Sequence, residues 1–109
     1  MIEVSSITPA EFTERWSADD EDVVLLDVRE HPEVAVAAIA FARHIPMGQI
    51  ANRLAEIEAS KSVVVMCHGG LRSMQVATFL AGRGYENVFN LAGGIDAWSR
   101  EVDSTIPRY

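Results

Sequence analysis

The stretch VVVMCHGGLRSMQ, residues 63–75, runs from an apolar segment through a glycine-containing loop into a helical pattern. A short and almost uniformly apolar segment is typical of a parallel strand that is buried on both faces. The residues that follow place Val76, Ala77 and Leu80 on one face of a helix, and Gly84 can end that helix. A strand followed directly by a helix indicates an α/β architecture.

The same alternation of strand and helix patterns extends along the rest of the chain. We predict strands at residues 23–28, 43–46, 62–66 and 87–91. We predict helices from residue 8 onward and at residues 32–40, 47–59, 72–84 and 95–102, followed by an irregular tail. Thr8, Pro9 and Glu11 form a capping-box pattern at the start of the first helix. This order predicts one α/β domain over residues 1–109, with a central parallel sheet and helices on both faces.

The composition is that of an acidic globular domain. With 49% hydrophobic and 23% charged residues, a chain of 109 residues can form one hydrophobic core. Nine Lys and Arg residues stand against sixteen Asp and Glu residues, which gives a net charge of −7. Clustered positive charge is what binds nucleic acids and anionic lipids, so this balance argues against a nucleic acid or a membrane as a partner.

Cys67 is the only cysteine, which excludes an internal disulfide framework. The N-terminal residues lack the basic and apolar segments of a secretory signal, and no apolar run approaches the roughly 20 residues that span a bilayer. These features predict a cytoplasmic location. Without a second cysteine or a helical pair of histidines we expect no metal ion, and the sequence indicates no other cofactor.

Cys67 directly follows the apolar strand, at the sheet edge where α/β proteins gather functional groups. Gly69 and Gly70 allow a backbone in which successive N–H groups converge, and the helix N-terminus adds partial positive charge. Arg72 adds a full charge nearby. These features would lower the pKa of the thiol and make Cys67 a nucleophilic thiolate. The alternative is an inert buried cysteine, which is common in protein interiors.

Four segments of the chain are informative together: LLDVRE (25–30), HIPMGQI (44–50), CHGGLRS (67–73) and NLAGGIDAW (90–98). In order and spacing they resemble the motifs of rhodanese-like domains, above all those of small single-domain bacterial sulfurtransferases. The resemblance implies that Cys67 attacks the outer sulfane sulfur of thiosulfate or a similar donor, from which sulfite leaves. A thiophilic acceptor, such as cyanide or a thiol, would then remove the sulfur from a Cys67 persulfide.

The resemblance also implies roles for the loop around the cysteine. The expected substrate-binding residues are Arg72, His68, Gly69, Gly70, Leu71 and Ser73. Arg72 would bind an oxyanion of the donor, and the N–H groups of the loop would stabilise the anionic persulfide. Ser73 would either donate a hydrogen bond to the loop or cap the helix. We expect the His68 side chain to face solvent.

Asp27 and Arg29 belong to the DVR segment, at the end of a neighbouring predicted strand. They are expected to support the site without touching the substrate. Asp27 would hold a loop by accepting hydrogen bonds from backbone N–H groups. Arg29 would either line the mouth of the site or pair with Glu30 or Glu33.

Loop length and two departures bear on the resemblance. Four residues separate Cys67 from Arg72, and the related cysteine-dependent phosphatases have a longer loop, so a phosphatase or arsenate reductase activity is disfavoured. Ala38 and Phe41 stand where family members commonly have His and Gly, so the local backbone and the entry of the substrate are expected to differ there.

A sulfur-carrier or protein-binding module without turnover of its own is the alternative function. The expected partners are a small sulfur donor and a thiol or cyanide acceptor, and a protein could serve in either role.

Overall fold

The computed structural model describes residues 3–109 as a five-stranded sheet with helices on both faces. The strands are β1 (Ser5–Ile7), β2 (Val23–Asp27), β3 (Arg43–His44), β4 (Ser62–Met66) and β5 (Val88–Leu91). The α-helices are α1 (Pro9–Arg15), α2 (His31–Val36), α3 (Leu71–Gly82) and α4 (Gly94–Glu101), and two 3-10 turns lie at Met47–Gln49 and Leu54–Glu56. The predicted α/β fold is therefore confirmed. Within residues 3–109, no helix has the length and apolar character needed to cross a membrane.

Cys67 lies at the carboxyl edge of the sheet, immediately after its central strand. The strand order is β1-β5-β4-β2-β3, and all neighbouring strands are parallel. Asp27 of β2 is in register with Met66 of β4, so these two strands end side by side. The segments that follow them meet at the edge where parallel sheets carry functional groups.

Both faces of β4 bury apolar side chains, as its uniformly apolar sequence predicts. Val63 and Val65 are fully buried in a cluster that α3 covers. Val64 and Met66 are fully buried in a second cluster, to which α1 and α4 contribute. Because β4 is packed on both sides and paired along both edges, the residue that follows it has a fixed position.

The helix predicted at residues 47–59 is wrong, since the two 3-10 turns occupy this segment. Ile50 and Ile57 are nevertheless buried, as their spacing predicts. The hydroxyl of Tyr85 lies 3.1 Å from the carbonyl oxygen of Leu54 and 2.8 Å from that of Ile57. A tyrosine from elsewhere in the chain thus binds carbonyls that a continuous helix would pair with its own amides.

Helix α2 is shorter than predicted, because it ends at Val36 instead of residue 40. The guanidinium of Arg29 binds the carbonyls at this end. Its Nη1 donates to the Glu33 carbonyl at 3.3 Å, and its Nη2 donates to the Ala37 carbonyl at 2.7 Å. The last carbonyls of a helix need such partners, and here a buried arginine supplies them.

Strand β1 is an element that the sequence analysis did not predict. It has three residues, and Ser5 and Ser6 are both exposed, so it lacks the apolar run that marks the other strands. Its backbone pairs with β5 at the edge of the sheet. The chain then enters α1 through the predicted capping box, in which the Glu11 N–H donates to the Thr8 side chain at 3.1 Å.

Candidate active site

Contacts with the start of α4 shape the loop after β4. The Ile95 N–H donates to the Cys67 carbonyl at 2.9 Å. In the same way, the Asp96 N–H donates to the His68 carbonyl at 3.2 Å. A Cβ at Gly94 would collide with both carbonyl oxygens, so this close approach requires glycine. With its carbonyls bound to α4, the loop has its amides free to converge on another group.

The sulfur of Cys67 is the group on which these donors converge. The Gly70 N–H donates to Sγ at 3.1 Å, and the hydroxyl of Ser73 lies 3.2 Å from Sγ. Gly70 has a φ of +115°, a left-handed conformation that glycine adopts without strain, and it leads directly into α3. Cys67 is only 1% exposed, so these contacts form away from bulk water.

Burial and hydrogen bonding shift the pKa of the Cys67 thiol in opposite directions. Burial raises the pKa of the thiol, because a buried thiolate loses its hydration. Hydrogen bonds from the Ser73 side chain and from the backbone N–H groups of Ser73, Gly70 and Gly69 outweigh this effect. The pKa of Cys67 is therefore below its ordinary value, which is the direction expected of a nucleophile and not of an inert buried thiol.

Asn90 completes a ring of hydrogen bonds around the cysteine. The Ser73 hydroxyl donates to Asn90 Oδ1 at 2.5 Å, and Asn90 Nδ2 donates to the Gly70 carbonyl at 3.2 Å. The hydroxyl has one proton, so it can donate either to Asn90 or to the sulfur. When Cys67 is a thiol, its S–H can donate to Ser73, and when it is a thiolate, Ser73 can turn its proton toward the sulfur.

Asn90 was not identified from the sequence. The signal that could have identified it is a polar residue within the apolar strand β5, where a buried amide needs hydrogen-bond partners. Asn90 is 5% exposed, and it contacts both the loop and the first turn of α3.

Arg72 is bound to Glu33 of α2 by two parallel hydrogen bonds. Nη1 lies 2.7 Å from Oε2, and Nη2 lies 2.8 Å from Oε1. The same carboxylate accepts hydrogen bonds from the Tyr109 hydroxyl at 3.0 Å and from the Glu30 N–H at 2.9 Å. The hydrogen bonds from Arg72 are the main reason that the pKa of Glu33 falls to about 2. The expected anion-binding arginine thus already has an anionic partner within the chain.

Arg29 does not occupy the position that the sequence analysis expected. It is fully buried, and it pairs with Asp27 through Nε–Oδ1 and Nη2–Oδ2 contacts of 3.0 and 2.8 Å. It therefore neither lines the mouth of the site nor pairs with the carboxylates of Glu30 and Glu33. A buried guanidinium needs a buried carboxylate and carbonyl acceptors, and β2 and α2 supply both. Asp27 also accepts the Arg29 backbone N–H at 3.1 Å, as expected of a residue that holds a loop.

The side chain of His68 does not face solvent as expected. Its ring stacks on Tyr109, with ring centroids 4.2 Å apart and an interplanar angle of 16°. Its Nε2 is buried and has no hydrogen-bond partner in the described part of the chain, residues 3–109. Leu71, in contrast, is 85% exposed, so it contributes backbone and not side chain to the loop. A Cβ at Gly69 would meet no other atom within 4 Å, which places this residue at an open part of the loop.

The two departures from the family pattern lie in the segment that connects α2 with β3. Ala38 is exposed, between the buried residues Ala37 and Ile39. Phe41 packs on Phe12 and Trp98, with ring centroids 6.1 and 5.9 Å apart. The phenylalanine thus fills a space over α1 and α4, and the ring of hydrogen bonds around Cys67 includes neither departure.

Comparison with known proteins places this geometry in a family. The model of the rhodanese-like domain matches residues 8–101. A sulfurtransferase of Allochromatium vinosum is 45% identical over 83 residues, which cover 76% of this chain and 78% of that protein. A putative sulfurtransferase of Bacillus subtilis is 39% identical over 101 residues, which cover 93% of this chain and 96% of that protein.

A solved structure from Staphylococcus saprophyticus shares the fold. It is 32% identical in sequence and has a TM-score of 0.79, with 95% of this chain and 99% of that chain covered. The family model, the two relatives and the solved structure each cover three quarters of the chain or more. The chain therefore belongs to the family of rhodanese-like domains.

Proposed function

We propose that this chain is a sulfurtransferase that acts through a persulfide at Cys67. Cys67 takes the outer sulfur of thiosulfate or a similar sulfane donor and gives it to a thiophilic acceptor, such as cyanide or a thiol. The observation that carries the proposal is the buried sulfur, to which the Gly70 N–H donates at 3.1 Å with the Ser73 hydroxyl 3.2 Å away. The sulfurtransferase names of two relatives support sulfur transfer in general.

The first step forms a bond between two sulfur atoms. The Cys67 thiolate attacks the outer sulfur of thiosulfate, the S–S bond of the donor breaks, and sulfite leaves with the electron pair. Cys67 then carries a persulfide anion. The loop N–H groups and the Ser73 hydroxyl that stabilise the thiolate would also stabilise this second anion, as an oxyanion hole stabilises oxygen.

The second step returns the enzyme to its starting state. An acceptor attacks the outer sulfur of the persulfide, and the Cys67 thiolate leaves with the electron pair. Cyanide would become thiocyanate, and a thiolate would become a persulfide. Because the sulfur is held covalently between the two steps, we expect ping-pong kinetics.

The alternative function is a sulfur carrier or protein-binding module that has little turnover with free acceptors. A relative named putative sulfur carrier protein, from Bacillus subtilis, favours this alternative. It is 32% identical over 84 residues, and the match covers 45% of its length. Such a module would load sulfur on the same cysteine and release it only to a partner protein.

Intact mass spectrometry tests the proposal. The purified chain is incubated with thiosulfate and, in a separate reaction, with glutathione persulfide, and then with cyanide. We expect the parent to gain the mass of one sulfur atom and to lose it again as thiocyanate forms. Cys67→Ala should gain nothing, and Cys67→Ser should abolish transfer, because neither variant offers a thiolate.

Each result separates the two functions or contradicts both. Sulfur that loads on Cys67 but does not pass to cyanide or to a small thiol favours the carrier. Turnover retained in Cys67→Ser, or no gain of mass with either donor while the thiol is reduced, would contradict a persulfide mechanism.

A further inference from the structure

The cation at the start of α3 is already bound within the chain. Both terminal nitrogens of Arg72 donate to Glu33, so the edge of the guanidinium that these two nitrogens form is occupied and its charge is paired. The pKa of Arg72 is raised by the hydrogen bonds to Glu33 and, less strongly, by the charge of Cys67. The positive charge of Arg72 is therefore paired with the carboxylate of Glu33, at 2.7 Å.

Glu33 is itself held in place from two further directions. The Tyr109 hydroxyl and the Glu30 N–H each donate to one of its oxygens, at 3.0 and 2.9 Å. With a pKa of about 2, the carboxylate stays ionised at neutral pH. A donor that needed Arg72 would have to displace an ionised group that accepts hydrogen bonds from three residues.

Arg29 is not available as a substitute cation. It is fully buried, and its charge is paired with Asp27. The anion-stabilising groups at Cys67 are thus neutral donors, namely backbone N–H groups and the Ser73 hydroxyl. Such donors stabilise a single sulfur anion, but they add no full positive charge for a second anionic group.

Thiosulfate and alkyl persulfides place different demands on this site. Thiosulfate carries two negative charges, and its sulfonate end needs a cation as it becomes sulfite. The reacting group of an alkyl persulfide carries at most one negative charge and no sulfonate, and its leaving group is a thiolate. We propose that Glu33 determines donor specificity by holding Arg72 away from oxyanions, so that the preferred sulfur donor is an alkyl persulfide and not thiosulfate.

The inference rests on the proposed sulfurtransferase function and specifies its donor. The Cys67 thiolate attacks the outer sulfur of R–S–SH, and the new Cys67–sulfur bond forms as the S–S bond of the donor breaks. The thiolate RS⁻ leaves with the electron pair, and the proton stays on the outer sulfur, now part of Cys67–S–SH. No additional oxidant or reductant is required.

The substitution Glu33→Gln tests the inference, because it removes the charge but retains an amide oxygen for the Glu30 N–H. Rates of sulfur loading onto Cys67 are measured by intact mass with thiosulfate and with glutathione persulfide. We expect the parent to load faster from the persulfide. In Glu33→Gln the ratio of thiosulfate to persulfide rates should rise about tenfold, the effect of one charge-assisted hydrogen bond.

Two further variants identify the cause of the change. Tyr109→Phe removes the hydroxyl that donates to Glu33 and accepts from Arg29, but it keeps the charge of Glu33 and both of its hydrogen bonds with Arg72. The donor ratio should therefore change much less than in Glu33→Gln. Glu33→Gln combined with Arg72→Gln should lose the gain, because the gain depends on a free guanidinium.

The outcomes distinguish the inference from the function on which it rests. If both donors load the parent and Glu33→Gln leaves their ratio unchanged, or if the parent prefers thiosulfate, the specificity role is overturned while sulfur transfer stands. If neither donor loads Cys67 in the parent, the proposed function fails, and the specificity role fails with it.

Discussion

At the scale of single residues, the ionisation of Cys67 depends on hydrogen bonds more than on a neighbouring charge. The sequence analysis expects three features to stabilise the thiolate, namely the loop N–H groups, the helix N-terminus and the charge of Arg72. This arginine is bound to Glu33. Ser73 and the backbone donors of the loop instead offset the burial that raises the pKa of the thiol. Ser73 matters most among the side chains because its hydroxyl contacts both the sulfur and Asn90.

Ser73→Ala is predicted to raise the pKa of Cys67. Burial raises the pKa of the thiol, and the hydrogen bond from Ser73 lowers it. Without this hydrogen bond the thiol should titrate at a higher pH. The substitution also leaves the buried Asn90 Oδ1 without its donor, which should cost about 1–3 kcal/mol of stability. Titration of the thiolate by its ultraviolet absorbance and urea unfolding measure the two effects.

Ser99→Ala is the matched control for this prediction. Ser99 is also buried, and its hydroxyl donates to the Ile106 carbonyl at 2.6 Å. Its loss should lower stability without moving the titration of Cys67, because Ser99 makes no hydrogen bond to the loop. An unchanged titration midpoint in Ser73→Ala would show that the hydroxyl does not stabilise the thiolate.

At the scale of secondary structure elements, the position of α4 fixes the shape of the cysteine loop. The first amides of α4 bind the carbonyls of Cys67 and His68. This approach is close enough that a side chain at Gly94 has no space. A helix that serves as part of the hydrophobic core thus also sets the direction of the loop amides.

Gly94→Ala is predicted to be more destabilising than another glycine substitution in a similar backbone conformation. Gly94 and Gly84 both have positive φ, of 60° and 93°, but a Cβ at Gly84 would meet no atom within 4 Å. Gly84→Ala should therefore cost about 1 kcal/mol from backbone strain alone. Gly94→Ala should cost more than about 2 kcal/mol, because the collision with the loop carbonyls is added.

Urea unfolding of the two variants measures this difference. Sulfur loading on Cys67 should also slow in Gly94→Ala, since the loop has to move. Equal stabilities for the two variants would mean that α4 shifts without cost and does not shape the loop.

Patterns of neighbouring residues correctly predict the buried strands and the start of the first helix. The apolar runs give β2 and β4 correctly, and the capping box at Thr8 marks the start of α1. The segment 47–59 has helical spacing but forms two separate 3-10 turns, and the hydroxyl of Tyr85, from a distant part of the chain, binds the carbonyls of Leu54 and Ile57. Spacing along the chain predicts which side chains are buried, but not which group binds the backbone.

In the candidate site, too, the sequence predicts the residues that are neighbours in the chain but not the contacts between distant residues. Cys67 and the glycine loop are visible in the sequence, because a strand end, two glycines and a helix start lie next to one another. The pairing of Arg72 with Glu33 and the stacking of His68 on Tyr109 join residues that are far apart in the chain. Only the fold brings such residues together, so the sequence could not predict that Arg72 would be bound.

At the scale of the whole molecule, acidic residues that pair with arginines link stability to pH. The pKa of Glu33 and that of Glu56 fall to about 2, chiefly through hydrogen bonds from Arg72 and Arg53 respectively. A carboxyl group whose pKa is lower in the folded state than in the unfolded state stabilises the fold when it is ionised. Its contribution is complete above its usual pKa of 4.5 and is lost as the pH falls from there toward 2.

The free energy of unfolding is therefore predicted to decrease as the pH is lowered from 4.5 to 2. In Glu33→Gln this decrease should be smaller, because the carboxylate is absent. Urea unfolding at a series of pH values measures this dependence.

Glu56→Gln provides a comparison, because Glu56 is more exposed than the partly buried Glu33. Salt screens exposed charges more strongly than buried ones, so high salt should remove most of the effect of Glu56→Gln and less of that of Glu33→Gln. If the free energy of unfolding changed with pH equally in Glu33→Gln and in the parent, the ion pair with Arg72 would contribute nothing to the stability of the fold.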